Sequence, residues 1–173
     1  MHLFDLIETN SLSNIWFWLL LAVTWSTASH WVLGVPFDLV SRARREGGIT
    51  EDRVLMILDV NLQRLSYIRR VAGALMIGMF SFFLTVFGIL GFVYRFEFFQ
   101  AMFLLAFPFV FVGLLSLRAA HILNQAEAYP RGEELYRFFR NHRLVVQFIG
   151  LVTIFFTSIW GMLVTITVSS FPW

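Results

Sequence analysis

The chain has 173 residues, 58% hydrophobic and 18% aromatic, with 13 basic residues against 11 acidic ones and a net charge of +2. The apolar fraction exceeds the roughly half typical of soluble domains and is gathered into long runs, which excludes an ordinary soluble domain. There is no cysteine, which excludes disulfides, thiolate metal sites, iron–sulfur ligation by this chain and cysteine catalysis.

A transmembrane helix needs about 20 predominantly apolar residues. Four segments meet this, at about residues 15–35, 71–94, 98–117 and 144–168, and none contains Asp, Glu or Arg. The expected fold is therefore an all-α integral membrane protein, a single four-helix domain over residues 1–173. Residues 1–14 are a polar lead bearing Asp5 and Glu8 but no basic residue, so the first run reads as a retained anchor rather than a cleavable signal. Trp16 and Trp18 fall where an interfacial aromatic belt belongs. Proline disfavours helix at the residue before it, so the first span should stop at Gly34, Val35 and Pro36.

The next polar segment, 36–70, carries Arg42, Arg44, Arg45, Arg53, Arg64, Arg69 and Arg70. Five acids, Asp38, Glu46, Glu51, Asp52 and Asp59, offset them, which argues against a nucleic-acid partner and for contact with anionic headgroups. Residues 41–49 read as the least ordered part of the chain, with Gly47 and Gly48 marking a turn. A new helix should begin near Thr50, an N-cap, with Glu51 and Asp52 in its first turn. Val54, Leu58, Leu62 and Leu65 then recur at helical spacing, and no breaker separates this stretch from the second span. A continuous helix over 51–94 would be ~65 Å long and must project beyond the bilayer.

Spans two and three are joined by a minimal hairpin containing Arg95 and Glu97, which makes them adjacent and antiparallel. Pro108 lies within span three. The helix should continue through Arg118, His121, Asn124 and Gln125 until Pro130, and a last helix should start at Glu133 and Glu134 and run through Arg143 into span four. Segment 118–143 carries Arg118, Arg131, Arg137, Arg140 and Arg143. Because positive charge near a span stays inside, both Arg-rich segments are expected in the cytoplasm and both termini in the periplasm of a bacterial inner membrane. Basic residues that are all arginine also suit a GC-rich bacterial genome.

Three constellations stand out. Ala74, Gly78, Ser81, Thr85 and Gly88 form a small-residue seam on span two, and Thr153, Thr157, Gly161 and Thr165 form one on span four; such seams pack helices within a bundle or against a partner or second copy. His30, His121 and His142 fall at one level, where they could ligate haem or a transition metal. Arg42, Arg44, Arg45, Arg64, Arg69, Arg70, Arg118, Arg140 and Arg143 would contact headgroups or a cytoplasmic partner. The polar sets Asn61, Gln63, Arg64 and Arg118, His121, Asn124, Gln125 should meet where two antiparallel helices leave the bilayer. No embedded carboxylate suggests a transporter acting alone, although the polar face of span one (Thr24, Ser26, Thr27, Ser29) would suit an oligomeric pore. No catalytic motif occurs: Ser26 and Ser29 beside His30 make no nucleophile elbow, and HExxH, P-loop and GxGxxG patterns are missing.

The stretch Trp25–Val40 (WSTASHWVLGVPFDLV), followed by SRARR, and the GFVY, FLLAFP and GLLSLR segments within Leu90–Leu117 resemble a family of short alphaproteobacterial integral membrane proteins known as a component of the SufBCD complex. The resemblance covers most of the chain. It implies a link to cytoplasmic iron–sulfur cluster assembly and brings no catalytic residue with it. More weakly, the layout and the segment Asn61 to Arg64 are similar to a broader family of four-span membrane proteins. The expectation is a non-enzymatic accessory or structural subunit without a cofactor; the alternatives are a haem- or metal-binding redox subunit and an oligomeric pore.

Overall fold

A computed structural model describes residues 12, 14–126 and 128–170, the side chains of 167–170 excepted. Of the polar lead expected on the outer surface, only Leu12 and Asn14 fall among the described residues. The architecture is helical, with three helices long and apolar enough to cross a membrane.

Helix α1 (Ile15–His30) starts where the Asn14 side chain accepts a hydrogen bond from the Trp16 amide at 3.0 Å. It stops at His30, short of the expected boundary at 35. Trp31–Val32 (β1) and Val35–Pro36 (β2) instead pair antiparallel as a hairpin. Its two turn residues, Leu33 and Gly34, have φ of 51° and 78°, the left-handed pair that matches the twist of a tight hairpin. Gly34 is obligatory for a second reason, because a Cβ there would lie 2.7 Å from the Asn61 side chain. The hairpin wins over helix because it folds Val32 and Val35, both almost wholly buried, into a core outside the apolar runs.

Helix α2 (Phe37–Glu46) occupies most of what the sequence suggested as a loop. It is amphipathic: Val40 and Ala43 are buried while Arg42, Arg44 and Arg45 face out. Gly47, at φ 61°, ends it. Helix α3 (Gly48–Gly88) begins at once, two residues before Thr50; Thr50 is no cap, and its hydroxyl donates back to Glu46 at 2.9 Å. The helix runs on as a π-helical turn over Ile89–Val93, so 46 residues are continuous and the expected projection is found. Arg95, at φ 60°, turns the chain into α4 (Glu97–Gln125), which holds Pro108 inside it. Helix α5 (Gly132–Ser170) begins with Glu133 and Glu134 in its first turn, as the sequence suggested.

The molecule has two storeys. One core joins the hairpin, α2, the first half of α3, the end of α4 and the start of α5 around Phe139, Leu58, Leu62 and Val54, each wholly buried. A second core joins α1, α4 and α5 around Phe17, Leu21, Trp25, Ala101, Val112 and Val146. Helices α1 and α5 are antiparallel and close. A Cβ on Gly150 would come within 2.7 Å of the Trp25 ring, and Gly161 faces Leu12.

Candidate functional site

The two small-residue seams have opposite fates. On α5, Thr153, Thr157 and Gly161 are buried inside the chain, and only Thr165 at the end of the stripe is exposed. The Thr153 hydroxyl donates to the Ile149 carbonyl and that of Thr165 to Gly161, which turns both polar groups inward on their own helix. On α3, Ala74, Gly78, Ser81 and Thr85 are all exposed, and only Gly88 approaches a neighbour, with Phe103 3.5 Å from where its Cβ would be. Among the described residues nothing lies within 4 Å of a Cβ built on Gly78. Only 6% of the most apolar stretch of α3 is buried, against 22% for α5. Packing within the bundle thus accounts for the seam on span four and leaves the one on span two open.

The reason is how α3 is held. Its first half is clamped in the first core through Val54, Leu55, Leu58 and Leu62. Its far end is fixed by a polar lock that the sequence reading missed. The Gln100 amide donates to the Gly91 carbonyl at 2.8 Å, and its oxygen accepts from Trp160 Nε1 at 2.9 Å. Gly91 sits in the π-helical turn, which frees carbonyls from the regular ladder, and a Cβ there would be 2.8 Å from the Gln100 backbone nitrogen. Gln100 is 6% exposed, so its amide is satisfied out of water. A lone amide two residues into an apolar run was the available signal. Nearby, Glu97 accepts from the Leu12 amide at 2.7 Å, and Trp18 Nε1 donates to the Leu12 carbonyl at 2.9 Å, tying the entry of α1 to α4.

The three histidines have different surroundings. His30 Nε2 lies 3.5 Å from Asp38 Oδ1, both half-exposed or more. His142 Nε2 pairs with the Ser116 hydroxyl at 3.2 Å, and His121 lines a shallow groove between α3 and α4. Among the described residues no three His, Asp or Glu side chains converge as a metal site, so the level shared by His30, His121 and His142 in sequence does not become a shared centre.

The arginines divide by their neighbours. Arg42 pairs with Glu46 at 2.8 Å, Arg44 with Glu133 at 3.0 Å, Arg131 with Asp52 at 3.6 Å and Arg137 with Glu133 at 3.6 Å, all in the storey away from the apolar runs. Arg44 also lies 4.1 Å over the Tyr136 ring, and Arg143 lies 4.2 Å over Phe37. These contacts join α2 to the start of α5 and border a cavity of about 230 Å³ lined by Arg44, Glu51, Glu133 and Tyr136 among others. Arg64, Arg69, Arg70, Arg118 and Arg140 make no ion pair among the described residues. All five lie in stretches without an acid: none occurs between Asp59 and Glu97, none from there to Glu127, and none after Glu134.

Of the two polar sets expected to meet, Asn124 reaches across to Ser66 at 3.2 Å. Asn61 turns away, donating to the carbonyls of Gly34 and Ile57, and Gln63 donates to Asp59 on its own helix. Asp59 also accepts from the Tyr129 hydroxyl at 2.7 Å, and this bond, with some burial, pushes the Tyr129 pKa above its ordinary value. Glu46, bonded by Arg42 and Thr50, has its pKa lowered.

Helices of this length and apolarity define a chain of the multi-pass membrane class. No family model, curated protein or solved structure matches it.

Proposed function

We propose that this chain is a non-enzymatic, four-span accessory subunit of a bacterial inner-membrane complex, with both termini periplasmic and the arginine-rich storey in the cytoplasm. The observation that carries the reading is the unburied α3: an apolar helix, clamped at both ends, that presents Ala74, Gly78, Ser81 and Thr85 outward with room for close approach. Small residues at such a face let a second helix come near enough for dispersion contacts, which drive helix association where lipid removes the hydrophobic incentive. The fourth span is α1. Its 16 residues cover ~24 Å at 1.5 Å per residue, shorter than the ~30 Å core; what supports its spanning is that Trp25 packs on Gly150 and Leu12, just before the helix, faces Gly161, both in the apolar run of α5. The partner is another membrane protein or a second copy, and a link to iron–sulfur assembly proteins is part of the proposal through the family resemblance alone.

The test is purification of a tagged copy from native membranes in mild detergent, read by mass spectrometry and an absorbance scan. A stoichiometric partner or a dimer, lost on Gly78→Leu, is expected. A monodisperse, partner-free monomer would overturn the reading, and a visible band lost on replacing His30 would revive the haem alternative. Cysteines placed at Ser11 and Ser170 should label from outside the cell, and one at Ser41 should not.

A further inference from the structure

Where α3 and α4 leave the apolar region they enclose a groove lined by Leu65, Ser66, Arg69, Leu117, Ala120 and His121. We propose that this groove binds an anionic phospholipid of the leaflet at the arginine-rich end, its phosphate meeting Arg69 and His121 and one acyl chain running along Gly73 and Gly113.

Four observations converge on it. The depth is right, because Arg69 comes two residues before the apolar run that starts at Val71 and His121 comes four residues after the run that ends at Leu117. The charge is available: Arg69 makes no ion pair among the described residues, and exposed Arg70 and Arg118 flank it with none either. A further donor is at hand, since the Ser66 oxygen accepts from Asn124 and, among the described bonds, its own hydroxyl proton is left to donate to a phosphate oxygen. Finally, the groove has a continuation. Gly73 and Gly113 lie four residues deeper than Arg69 and Leu117 on the same helical faces. Among the described residues a Cβ on Gly73 would meet only Arg69, at 3.7 Å, and one on Gly113 would meet nothing within 4 Å. Neither glycine puts a side chain in the way of an acyl chain lying below the proposed phosphate site. A basic pocket between membrane helices is a recurring way to hold such a headgroup.

The inference does not rest on the accessory-subunit reading, and its test needs no partner. Delipidated full-length protein in mild detergent is titrated with phosphatidylglycerol, phosphatidylcholine or inorganic phosphate, and bound molecules are counted by native mass spectrometry. Phosphatidylglycerol should bind in preference to phosphatidylcholine. Arg69→Gln should weaken it about fivefold, the share of one basic group near an anionic surface, and Arg42→Gln, whose arginine is occupied by Glu46, should leave it unchanged. Gly113→Leu, which puts a side chain in the way of the acyl chain without touching charge, should also weaken the lipid. Equal binding of the two lipids, or an Arg69→Gln variant that binds like the parent, would overturn the proposal. So would inorganic phosphate competing at the site while Gly113→Leu has no effect, which would assign the groove to free anions.

Discussion

The contact between Gly150 and Trp25 sets two effects of opposite sign against each other. In Gly150→Ala the new methyl would start 2.7 Å from Trp25 Cε3 and 2.9 Å from Cδ2, where carbon atoms prefer roughly 3.5–4.0 Å. A flat indole offers no flexible end that could swing aside. Trp25 is 5% exposed and its ring centroid is 5.7 Å from that of Phe109, so α1 as a whole must move by nearly an ångström. Overpacking of this kind costs about 1–3 kcal/mol. The substitution also gains about 1 kcal/mol of helix propensity, and the net expectation is a loss of about 1 kcal/mol. In detergent that should lower the midpoint of thermal unfolding by about 2–4 °C. The control is Trp25→Leu with and without Gly150→Ala: with the ring gone, alanine should be neutral or stabilising, and the cycle gives the coupling directly. A Gly150→Ala protein that melts at or above the parent midpoint would refute the close packing of α1 on α5, and with it the main support for a fourth span.

Phe139 is wholly buried in the core that joins the hairpin, α2 and the start of α5, so Phe139→Ala should cost about 3–5 kcal/mol in thermal unfolding; a loss below about 1 kcal/mol would mean that this storey is not packed as described. Gln100→Leu keeps the volume but strands the Gly91 carbonyl and the Trp160 indole proton, and should destabilise by about 1–3 kcal/mol, two bonds at the strength seen between membrane helices. Glu46 has a lowered folded pKa, so its contribution is present above its ordinary value of 4.5 and is lost as pH falls through the folded one. Glu46→Gln should therefore flatten the acid side of the stability profile, and an unchanged profile would show that its bonds to Arg42 and Thr50 do not persist in solution. Tyr129 has a raised pKa, so its contribution is intact below pH 10 and is lost as pH rises through the folded value. The difference in ultraviolet titration between parent and Tyr129→Phe should show ionisation above pH 10, moved back toward it by Asp59→Asn; no movement would separate the two residues.

Much of this architecture could be read directly from residue order. The apolar run from Val71, unbroken from Thr50 onward, required one long helix, because nothing in it stops an i to i−4 ladder, and α3 runs on from Gly48 through its π-helical turn to Val93. The paired glutamates before the last run placed the start of α5 at Gly132. Tertiary structure decided what local pattern leaves degenerate. The arginines formed one group in the sequence, and folding divided them: Glu133, 89 residues away, pairs with Arg44, while Arg69 and Arg118 make no ion pair among the described residues. The stretch Trp31–Pro36 became a hairpin rather than helix because Val32 and Val35 found a core to enter, a gain set by residues far along the chain such as Leu58 and Phe139. The two small-residue seams look alike in sequence, and only the packing of α5 against α1 and α4 buries one and leaves the other open. The three histidines were expected at one level from their places beside the apolar runs, but whether side chains converge depends on helix packing, and each meets different neighbours: Asp38 for His30, Ser116 for His142 and the α3–α4 groove for His121.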